Sequence, residues 1–474
     1  MVGLRRGILT MLVSACTAFL YGQSMEESRL GLAELTKRVQ EFTKEQQVRA
    51  YEYALRHNVP MSYRDDKGNL VLLVGVSENG LPLYESTFNA GAAITSGAAK
   101  LRGGGSLGLN LEGEGITVAV WDGGIVDSHI EFGDRILSVE GSAEDTHATH
   151  VTGTILAAGL NAQAKGMAPK AKAFTYDFAN DTPEMLSVAR PDQSTIILSN
   201  HSYGLITGWR FNAGSWQWFG DAGISNQEDW RFGFYSNAAA QWDQLAFNAP
   251  YYLIVKSAGN DRSDVGNGSF PPDCNGGSGY DCISDKSVAK NILTVGAVSK
   301  VSNYVDAGSV VMSSFSSWGP TDDGRIKPDL VAAGVNLFST IASATDDQYG
   351  SLSGTSMATP SATGSLALLQ ELYKNLNNGN YMRASTLKAL AIHSTKEAGS
   401  APGPDYQFGW GLLDVEEAAR LILNEDNQNI IIAEEVLQNN QPFELTLQPK
   451  ANTKITATLV WTDRAGTPVG ASLD

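Results

Sequence analysis

The chain has 474 residues, of which 42% are hydrophobic and 18% are charged, a balance that is typical of globular proteins and excludes wholesale disorder. Its formal net charge is −17 and no basic stripe interrupts that charge, so the composition disfavours a nucleic-acid-binding protein. A chain of this length can form a large core divided over about two or three domains.

The N-terminus reads MVGLRRGILTMLVSACTAFLYGQS, in which a pair of arginines precedes the apolar run of residues 7–22. This run is short for a membrane span and typical of a secretory signal peptide, which we predict over residues 1–22, with no transmembrane segment beyond it. The cleavage site stays open. VSAC, ending at Cys16, resembles a bacterial lipoprotein box that would anchor the protein, whereas YGQS suits cleavage near Gly22 or Gln23 and release from the cell.

An N-terminal module follows over residues 23–105. Residues 25–57 predict a helix, and NLVLLVGVSENGLPLYE reads as two short strands around a turn. The next stretch, NAGAAITSGAAKLRGGGSLGLNL, is rich in Gly, Ala and Ser and predicts a linker. We interpret the module as a candidate propeptide. The apolar positions at helical spacing are Leu30, Leu32, Leu35, Val39, Phe42, Val48, Tyr51 and Leu55.

The main domain, residues 106–424, alternates continuous apolar runs with helical patterns. The predicted strands are ITVAVWD (116–122), TIILSNHS (195–202), YYLIVKSAGN (251–260) and NILTVGAVS (291–299). Helical patterns lie near 146–159, 234–247 and 356–375. Continuous apolar strands separated by helices predict an α/β fold, in which a mostly parallel sheet is covered by helices on both faces.

The pattern changes after residue 424. NIIIAEEVLQNNQPFELTLQPKANTKITATLVWTD alternates apolar and polar residues as antiparallel strands do, and no strong helix signal interrupts it. About three or four strands are fewer than a complete sandwich needs. We therefore predict that residues 425–474 are the start of a C-terminal β-sandwich domain.

Reactive side chains stand at the ends of two predicted elements. Asp122 ends a strand of the sheet, where ligands of open α/β sheets bind, although an aspartate at that place can also cap a helix. In EDTHATHVTGT, His147 lies in the first turn of a helix and His150 one turn further on. Because no acidic third ligand shares that face, we interpret one histidine as a general base and the other as structural, rather than both as metal ligands.

The stretch LSGTSMATP opens the last long helix of the main domain. Ser356 has two interpretations there: a helix cap, or a nucleophile at the positive end of the helix dipole. Gly354 would permit a sharp approach of the chain to the helix. Pro360 would lose no hydrogen bond if it lay in the first turn, because the first N–H groups of a helix have no intrahelical partner.

Five stretches together resemble, in order, motifs of the subtilisin-family (subtilase) serine peptidases: VWDGG, HATHVTGT, SAGN, SFSSWGPTDDGRIKPDLVAAG and GTSMATP. The resemblance covers roughly residues 110–420 and implies a subtilisin-like three-layer fold. It implies that Asp122, His147 and Ser356 form the catalytic triad and that Asn260 donates to the oxyanion. Two departures, Ala148 for the usual Gly and Ala333 for the usual Pro, remove no reacting group.

The resemblance extends to substrate binding. NHSYG (200–204) is similar to the strand that pairs with an extended substrate in this family, although a plain core strand would look the same. The substrate-binding residues that it implies are Ser202, Tyr203 and Gly204 on that strand and Ser257, Ala258 and Gly259 beside the specificity pocket.

An aromatic-rich insertion separates these two groups of residues. Its tryptophans, which either wall a cleft or, as we favour, form a small core of the loop itself, are Trp209, Trp216, Trp218, Trp230 and Trp242. The acidic stretches DDGRIKPD and GNDRSDVGNG lack a strong calcium-loop pattern. We predict that no cofactor or metal is required, and structural calcium stays open.

Two cysteines lie close together in PPDCNGGSGYDCIS, around a Gly-rich turn. In an exported protein, Cys274 and Cys282 predict a local disulfide. A zinc site is the weaker interpretation, because two thiolates do not complete a tetrahedral site.

The sequence thus predicts a secreted serine endopeptidase that acts on protein or peptide substrates through an acyl-enzyme, and it does not determine the oligomeric state. The alternative is a catalytically silent surface or binding protein with the same fold, which the presence of Asp122, His147, Asn260 and Ser356 disfavours. A lipase or esterase of the α/β-hydrolase type is excluded by the order Asp, His, Ser and by Ala358, which stands where that motif has Gly.

Overall fold

The computed structural model describes residues 25–64, 70–77, 79–87, 95–140, 143–192, 196–424, 430–437, 441–449 and 451–470. The predicted signal peptide, Cys16 and both candidate cleavage sites lie outside the described residues. Among the described residues, no helix combines the length and the apolar content needed to cross a bilayer.

The N-terminal module contains the predicted helix and hairpin. Its elements are α1 (Met25–His57), β1 (Ser62–Arg64), β2 (Leu70–Val76), β3 (Pro82–Thr87) and the short α2 (Ala98–Leu101). The strands β1, β2 and β3 pair antiparallel in that order, so the predicted hairpin is confirmed and has a further strand at its edge.

The main domain alternates strands and helices. Its elements are, in chain order, β4 (Thr117–Asp122), β5 (Ile136–Ser138), α3 (Thr146–Leu156), β6 (Lys172–Asp177), α4 (Asp181–Val188), β7 (Leu198–His201), β8 (Tyr203–Leu205), β9 (Trp209–Asn212), β10 (Ser215–Trp218), α5 (Asn237–Asn248), β11 (Leu253–Ser257), α6 (Asp273–Gly277), β12 (Leu293–Val298), β13 (Leu330–Ala333), β14 (Leu337–Thr340), β15 (Tyr349–Leu352), α7 (Thr355–Leu376), α8 (Ala384–His393) and α9 (Val415–Leu423).

Seven of these strands form one parallel sheet in the order β13-β12-β11-β7-β4-β6-β5. Helices α3, α7, α8 and α9 contribute to the apolar core on one side of the sheet, and α4 and α5 contribute to the core on the other. The central strands β7, β11 and β12 are buried along their whole length because both of their faces are covered. The predicted three-layer α/β fold is confirmed.

Close packing fixes the position of α3. Gly153 faces β14, and a Cβ atom added to it would lie 2.1 Å from Thr340 Oγ1. A larger residue would therefore push the helix away from the strand. The carbonyl groups of Thr149 and His150 accept hydrogen bonds from Thr340 Oγ1 at 2.8 Å and Ser339 Oγ at 3.1 Å, which ties α3 to β14.

The apolar face predicted for α1 is only partly correct. The helix packs against β2, α4 and α5, and it buries Leu35, Ala50 and Ala54. Four of the predicted apolar positions are instead exposed by 40% or more: Phe42, Val48, Tyr51 and Leu55. The small Ala50 and Ala54 side chains let the helix approach its neighbours closely, so the contact face is narrow and differs from the face with the bulkiest side chains.

The predicted linker is not a free linker over residues 95–101. Ala98 and Leu101 of α2 are fully buried and belong to the main core, and the Ser96 carbonyl accepts a hydrogen bond from Val415 N at 2.9 Å. The Gly- and Ala-rich composition reflects tight packing here. Small residues indicate flexibility only where nothing packs against them.

The described residues after 429 contain no β-strand, and the start of a C-terminal β-sandwich domain over residues 425–474 stays a prediction. The segment instead lies along the main domain, where Glu434 accepts from Arg383 N at 2.9 Å and Asp463 pairs with Lys290 at 2.6 Å. Its large apolar side chains are exposed: Ile431, Val436, Phe443, Leu445, Ile455, Leu459, Trp461 and Val469. Alternating strands need a second layer to cover their apolar face, and the described residues provide none.

Candidate active site

The candidate residues meet at the carboxyl edge of the parallel sheet, where open α/β sheets bind ligands. Asp122 is the last residue of β4, Ser202 follows the adjacent β7, and Ser257 ends β11, the next strand along. This edge is where the chain turns from each strand into the connection that follows it.

Asp122 and His147 form a direct pair. His147 Nδ1 donates to Asp122 Oδ1 at 2.5 Å, and the side chains of His147 and Asp122 are 5% and 1% exposed. Burial raises the pKa of the Asp122 carboxyl above its usual range, while the imidazole and the Gly123 N–H, at 2.7 Å, act against that rise. The Nδ1–H bond fixes the tautomer that leaves Nε2 with its lone pair. His147 Nε2 is buried and has no hydrogen-bond partner among the described residues.

Ser356 is the second residue of α7 and is fully buried. Its hydroxyl donates to the Ser202 carbonyl at 2.9 Å, and the Ser202 hydroxyl donates to the Ser356 carbonyl at 2.7 Å. The structure therefore brings Ser356 to the segment 200–204, which is expected to bind substrate, but the Ser356 hydroxyl points to Ser202 and not to His147. A rotation about the Cα–Cβ bond is needed before Ser356 can donate to the imidazole.

Two expectations about the start of α7 are wrong in detail. Gly354 has φ 165° and ψ 167°, an extended conformation that any residue adopts, so the turn into the helix does not require glycine. Pro360 is the sixth residue of α7 and lies beyond the first turn. Its missing N–H is the one that would bond to the Ser356 carbonyl, which is free to accept from Ser202 instead.

Asn260 lies beside the start of α7. Its Oδ1 accepts from Thr355 N at 2.9 Å and from Thr355 Oγ1 at 3.1 Å. Because the backbone N–H can only donate, these bonds fix the orientation of the amide and leave the NH2 group of Asn260 as its donor. Asn260 thus contacts Thr355, the residue directly before Ser356.

All six expected substrate-binding residues lie around one small site. Ser202 bonds to Ser356. The other five line a cavity of about 10 Å³: Tyr203, Gly204, Ser257, Ala258 and Gly259. Ser284 and Ser287 also line this cavity. The strand β8 does accept an antiparallel partner, but that partner is β3 of the N-terminal module, with Ser86 opposite Gly204 and Thr87 opposite Tyr203.

A buried polar network behind the substrate strand was missed in the sequence. Tyr203 donates its hydroxyl to Asp181 Oδ2 at 2.6 Å, and Lys286 Nζ donates to the same oxygen at 2.7 Å. Although burial acts against it, the Lys286 ammonium holds the pKa of the Asp181 carboxyl below its usual range. His201 Nδ1 lies 2.8 Å from the Tyr203 hydroxyl, and burial lowers the pKa of His201 well below its usual value, so the ring is neutral.

No sequence signal identifies this network, since Asp181 and Lys286 are 105 residues apart. Lys286 lies between Ser284 and Ser287, which line the cavity, and the Tyr203 carbonyl accepts from Lys256 Nζ. The network therefore connects two walls of the cavity through Tyr203.

His150 has a structural role. Its Nε2 lies 3.2 Å from the carbonyls of Leu337 and Gly350, in β14 and β15, and burial lowers its pKa to about 3. One set of three potential metal ligands lies within 4.8 Å among the described residues: Asp122, Asp145 and His147. The His147 Nδ1 atom already binds Asp122, so this set does not offer the imidazole to a metal ion at that nitrogen.

The tryptophans of the insertion pack mainly within it. Trp209 lies edge-on to Trp218 at 5.2 Å, and Trp218 stacks on Phe270 at 4.9 Å. Trp230 contacts Phe234 at 4.8 Å, whereas Trp242 of α5 belongs to the core of the main domain. Trp216 packs against Phe211 at 5.4 Å within the β9–β10 hairpin. The favoured interpretation, a small core of the loop itself, agrees with these contacts.

The predicted disulfide is present. Cys274 and Cys282 are bonded, with their Cα atoms 4.6 Å apart, and both are fully buried against Phe232. Phe232 also forms an isolated antiparallel bridge with Ser284, which lines the cavity. The disulfide thus secures the segment that leads into the cavity wall.

With the fold and this site in view, comparison with known proteins defines the class. The chain matches the subtilase family, peptidase family S8, over residues 113–411, and it belongs to that family of serine peptidases. The resemblance found in the sequence is confirmed.

Individual relatives are more distant. A C5a peptidase of Streptococcus pyogenes serotype M3 is 42% identical over 89 residues, which are 19% of this chain and 7% of that protein. A PII-type proteinase of Lactococcus lactis subsp. cremoris is 34% identical over 167 residues, 32% of this chain and 8% of that protein. The Dictyostelium discoideum protein tagD, a serine protease/ABC transporter B family protein, is 23% identical over 60% of this chain and 20% of its own length.

This chain therefore matches only 7–20% of the length of these curated relatives. Among solved structures, the prenylagaramide maturation protease PagA is 21% identical, with a TM-score of 0.46, over 65% of this chain and 93% of its own. That structural likeness is too low to add to the family assignment.

Proposed function

We propose that this subtilase is a secreted serine endopeptidase that hydrolyses peptide bonds through an acyl-enzyme on Ser356. The observation that carries the proposal is the buried Asp122–His147 pair, held at the sheet edge where Ser356 and Asn260 also lie. A serine hydroxyl needs a base to take its proton, and the imidazole needs a carboxylate to hold its tautomer and stabilise its cation.

Acylation begins when the Ser356 hydroxyl leaves the Ser202 carbonyl and donates to His147 Nε2. Ser356 Oγ attacks the carbonyl carbon of the scissile bond while its proton passes to Nε2. The oxyanion of the tetrahedral intermediate accepts from the Asn260 NH2 group and from the Ser356 N–H, which has no intrahelical partner in the first turn. His147 then gives the proton to the leaving amine, and the C–N bond breaks.

Deacylation repeats these steps with water. His147 takes a proton from water, the hydroxide attacks the ester carbon, and the second tetrahedral intermediate uses the same two donors. When the ester bond breaks, Ser356 Oγ recovers the proton from His147 and the acid product leaves. All of the reacting groups come from the chain itself, so we propose that no cofactor takes part in the reaction.

The test compares two serines that are three residues apart. Ser356→Ala should abolish hydrolysis of casein, because the nucleophile is lost. Ser353→Ala, at an exposed position before the helix, should retain it. Unchanged proteolysis by purified Ser356→Ala would end the proposal, and a wild-type protein that folds but never cleaves peptides would support the silent binding protein instead.

We also propose that the N-terminal module is a propeptide that blocks the active site. Its strand β3 pairs with β8, the strand expected to bind substrate, so module and substrate compete for the same backbone groups. Tyr84 of β3 also lies edge-on to Phe219 of the insertion at 5.6 Å, which extends the docking surface.

Removing one strand partner tests this blockade. Ser86→Pro deletes a backbone N–H opposite Gly204 and should shorten the lag before peptidase activity appears. Ser62→Pro, in the edge strand β1 away from β8, is the matched control and should leave the lag unchanged. Equal lags for both variants would contradict a blockade by β3.

Export is part of the same proposal. The predicted leader directs the protein out of the cell, and its cleavage releases it, or lipid on Cys16 anchors it at the surface. Cell fractionation of wild type and Cys16→Ser separates these outcomes: a soluble wild-type protein supports release, and a membrane-bound form that Cys16→Ser releases supports the anchor. Protein or peptide substrates are the partners that this activity needs.

A further inference from the structure

A second carboxylate lies beside the candidate base. Asp145 is 1% exposed and caps α3, where its Oδ1 accepts from Ala148 N at 2.8 Å. One carboxylate oxygen of Asp145, one of Asp122 and a ring nitrogen of His147 all lie within 4.8 Å of one another. The imidazole is therefore approached by two carboxyl groups, and Asp122 is hydrogen-bonded to it.

The position of His147 makes a second carboxylate useful. His147 is the second residue of α3, so its ring lies at the positive end of the helix dipole, which disfavours a cation. The base becomes an imidazolium each time it takes the serine proton. A negative charge at the cap opposes the helix dipole at the place where that cation forms.

Other charges near His147 are few in the described residues. His150, on the same helix, is neutral at working pH because its pKa is lowered to about 3. The neighbouring β14 has no titratable side chain, and the first one in α7 is Glu371, far from the helix start. Asp127 accepts from Ser343 N and belongs to the loop after β4. Asp122 and Asp145 are thus the acidic groups that flank the ring.

We propose that Asp145 is a positioning residue for the base, whose carboxylate stabilises the cationic form of His147 during the reaction in addition to capping α3. The inference rests on the proposed peptidase function. It assigns to the cap a role that an uncharged cap of the same shape cannot fill.

Asp145→Asn tests the charge without removing the cap, because Asn is as good an N-cap residue as Asp. We expect the acidic limb of the pH profile of kcat/KM to move to lower pH by about one unit, since the ring loses a partner for its cation. At the alkaline plateau, kcat should fall by about tenfold, because one unit corresponds to a tenfold change in the equilibrium. KM should change little.

Asp414→Asn is the matched control. Asp414 caps α9 in the same way, through Glu416 N at 3.1 Å, far from the base. Its substitution should leave the pH profile of kcat/KM in place. Asp145→Ser, which keeps a capping oxygen without charge, should repeat the Asn result and replaces it if Asp145→Asn does not fold.

The outcomes separate this inference from the proposed function. If the wild type hydrolyses peptides and both Asp145 variants keep the acidic limb in place, Asp145 is only a cap and the inference is wrong. A change confined to KM would also overturn it, because Asp145 would then contact substrate and not act through the base. A wild type without peptidase activity would instead refute the proposed function.

Discussion

At the residue scale, Ser202 connects the end of β7 to the candidate nucleophile through two hydrogen bonds. The Ser202 hydroxyl donates to the Ser356 carbonyl, to which Pro360 cannot donate because it has no N–H. The Ser202 carbonyl accepts from the Ser356 hydroxyl. These two hydrogen bonds hold the start of α7 against the end of β7 in the resting site. The bond from Ser356 Oγ is the one that catalysis must break.

Asn260 provides a residue-scale prediction. Asn260→Ala should lower kcat by about 100- to 1000-fold and change KM little, because the oxyanion that we propose the amide binds is absent from the bound substrate. This size comes from subtilisin itself and is a family expectation. The control is the exposed Asn226→Ala, which should retain full kcat. A fall confined to KM would mean that Asn260 binds only ground-state substrate.

Asp261 gives a pH dependence of stability. Burial raises its pKa from 3.8 to about 6, against the hydrogen bond that it accepts from Ser317 Oγ at 3.1 Å. A carboxyl with a higher pKa in the folded protein binds its proton more tightly when folded. The contribution of Asp261 to the free energy of unfolding is therefore greatest near pH 4 and falls by up to about 3 kcal/mol as pH rises to about 6.

Urea unfolding in the inactive Ser356→Ala background measures that slope without autolysis. Adding Asp261→Asn should flatten the decline between pH 4 and 6, because the amide does not titrate. The exposed Asp134→Asn should leave the decline as it was. A decline that is the same with and without the Asp261 carboxyl would contradict this assignment.

At the element scale, the sequence predicted what depends on local pattern and missed what depends on contacts across the chain. The apolar runs of β4, β7, β11 and β12 and the helical spacing of α7 were found because their burial shapes the local sequence. The pairing of β3 with β8 joins residues more than 100 positions apart and leaves no local trace. For the same reason, the alternating pattern after residue 429 does not specify which layer its apolar residues would pack against.

For the candidate site, too, the sequence predicts the residues that belong to motifs and misses the contacts that depend on tertiary packing. Asp122, His147, Asn260 and Ser356 were identified by their motifs, and the structure places them at one sheet edge. The bond of Ser356 to Ser202 and the network of Asp181 with Lys286 were not foreseen, since side-chain orientation and buried pairing are decided by tertiary packing. Motifs identify the candidate reacting groups, whereas the geometry of those groups can be read only from the fold.

The substrate strand carries an element-scale prediction. Tyr203→Phe deletes the hydroxyl that bonds to Asp181 and should raise KM for peptides by several-fold, because the strand that pairs with them is less firmly held. Labelling of Ser356 by a small fluorophosphonate should keep its rate, since that reagent does not need the strand. Tyr235→Phe is the matched control. Tyr235 also donates its hydroxyl to an aspartate, Asp243, at 2.7 Å, but it does not lie on β8. Equal KM values for the two variants would refute the role of the strand anchor.

The disulfide affects the same region. Thiol titration of the unfolded protein without its leader should find no free cysteine before reduction and two afterwards, Cys274 and Cys282. The bond closes a small loop that leads into Ser284. Reduction should therefore raise KM clearly and lower the temperature of unfolding only slightly. Two free thiols in protein recovered from the culture medium would contradict the prediction.

At the scale of the whole molecule, the N-terminal module completes a sheet with the peptidase domain. The four-stranded order β1-β2-β3-β8 joins the module to the substrate strand, and α1 packs on α4 and α5. Asn180, directly before the Asp181 of the buried network, accepts from Gln47 of α1. The module therefore contacts both β8 and the start of α4, and this contact is the basis of the proposal that it is a propeptide.

The most direct test of the central claim is to map a fluorophosphonate adduct on the enzyme after the module has been removed. We expect one adduct, on Ser356, and we expect His147→Ala to abolish labelling because the hydroxyl loses its base. Control labelling of Ser353→Ala should equal that of the wild type. An adduct on another residue, or proteolysis that continues with Ser356 unlabelled under excess reagent, would contradict the assignment of Ser356 as the nucleophile.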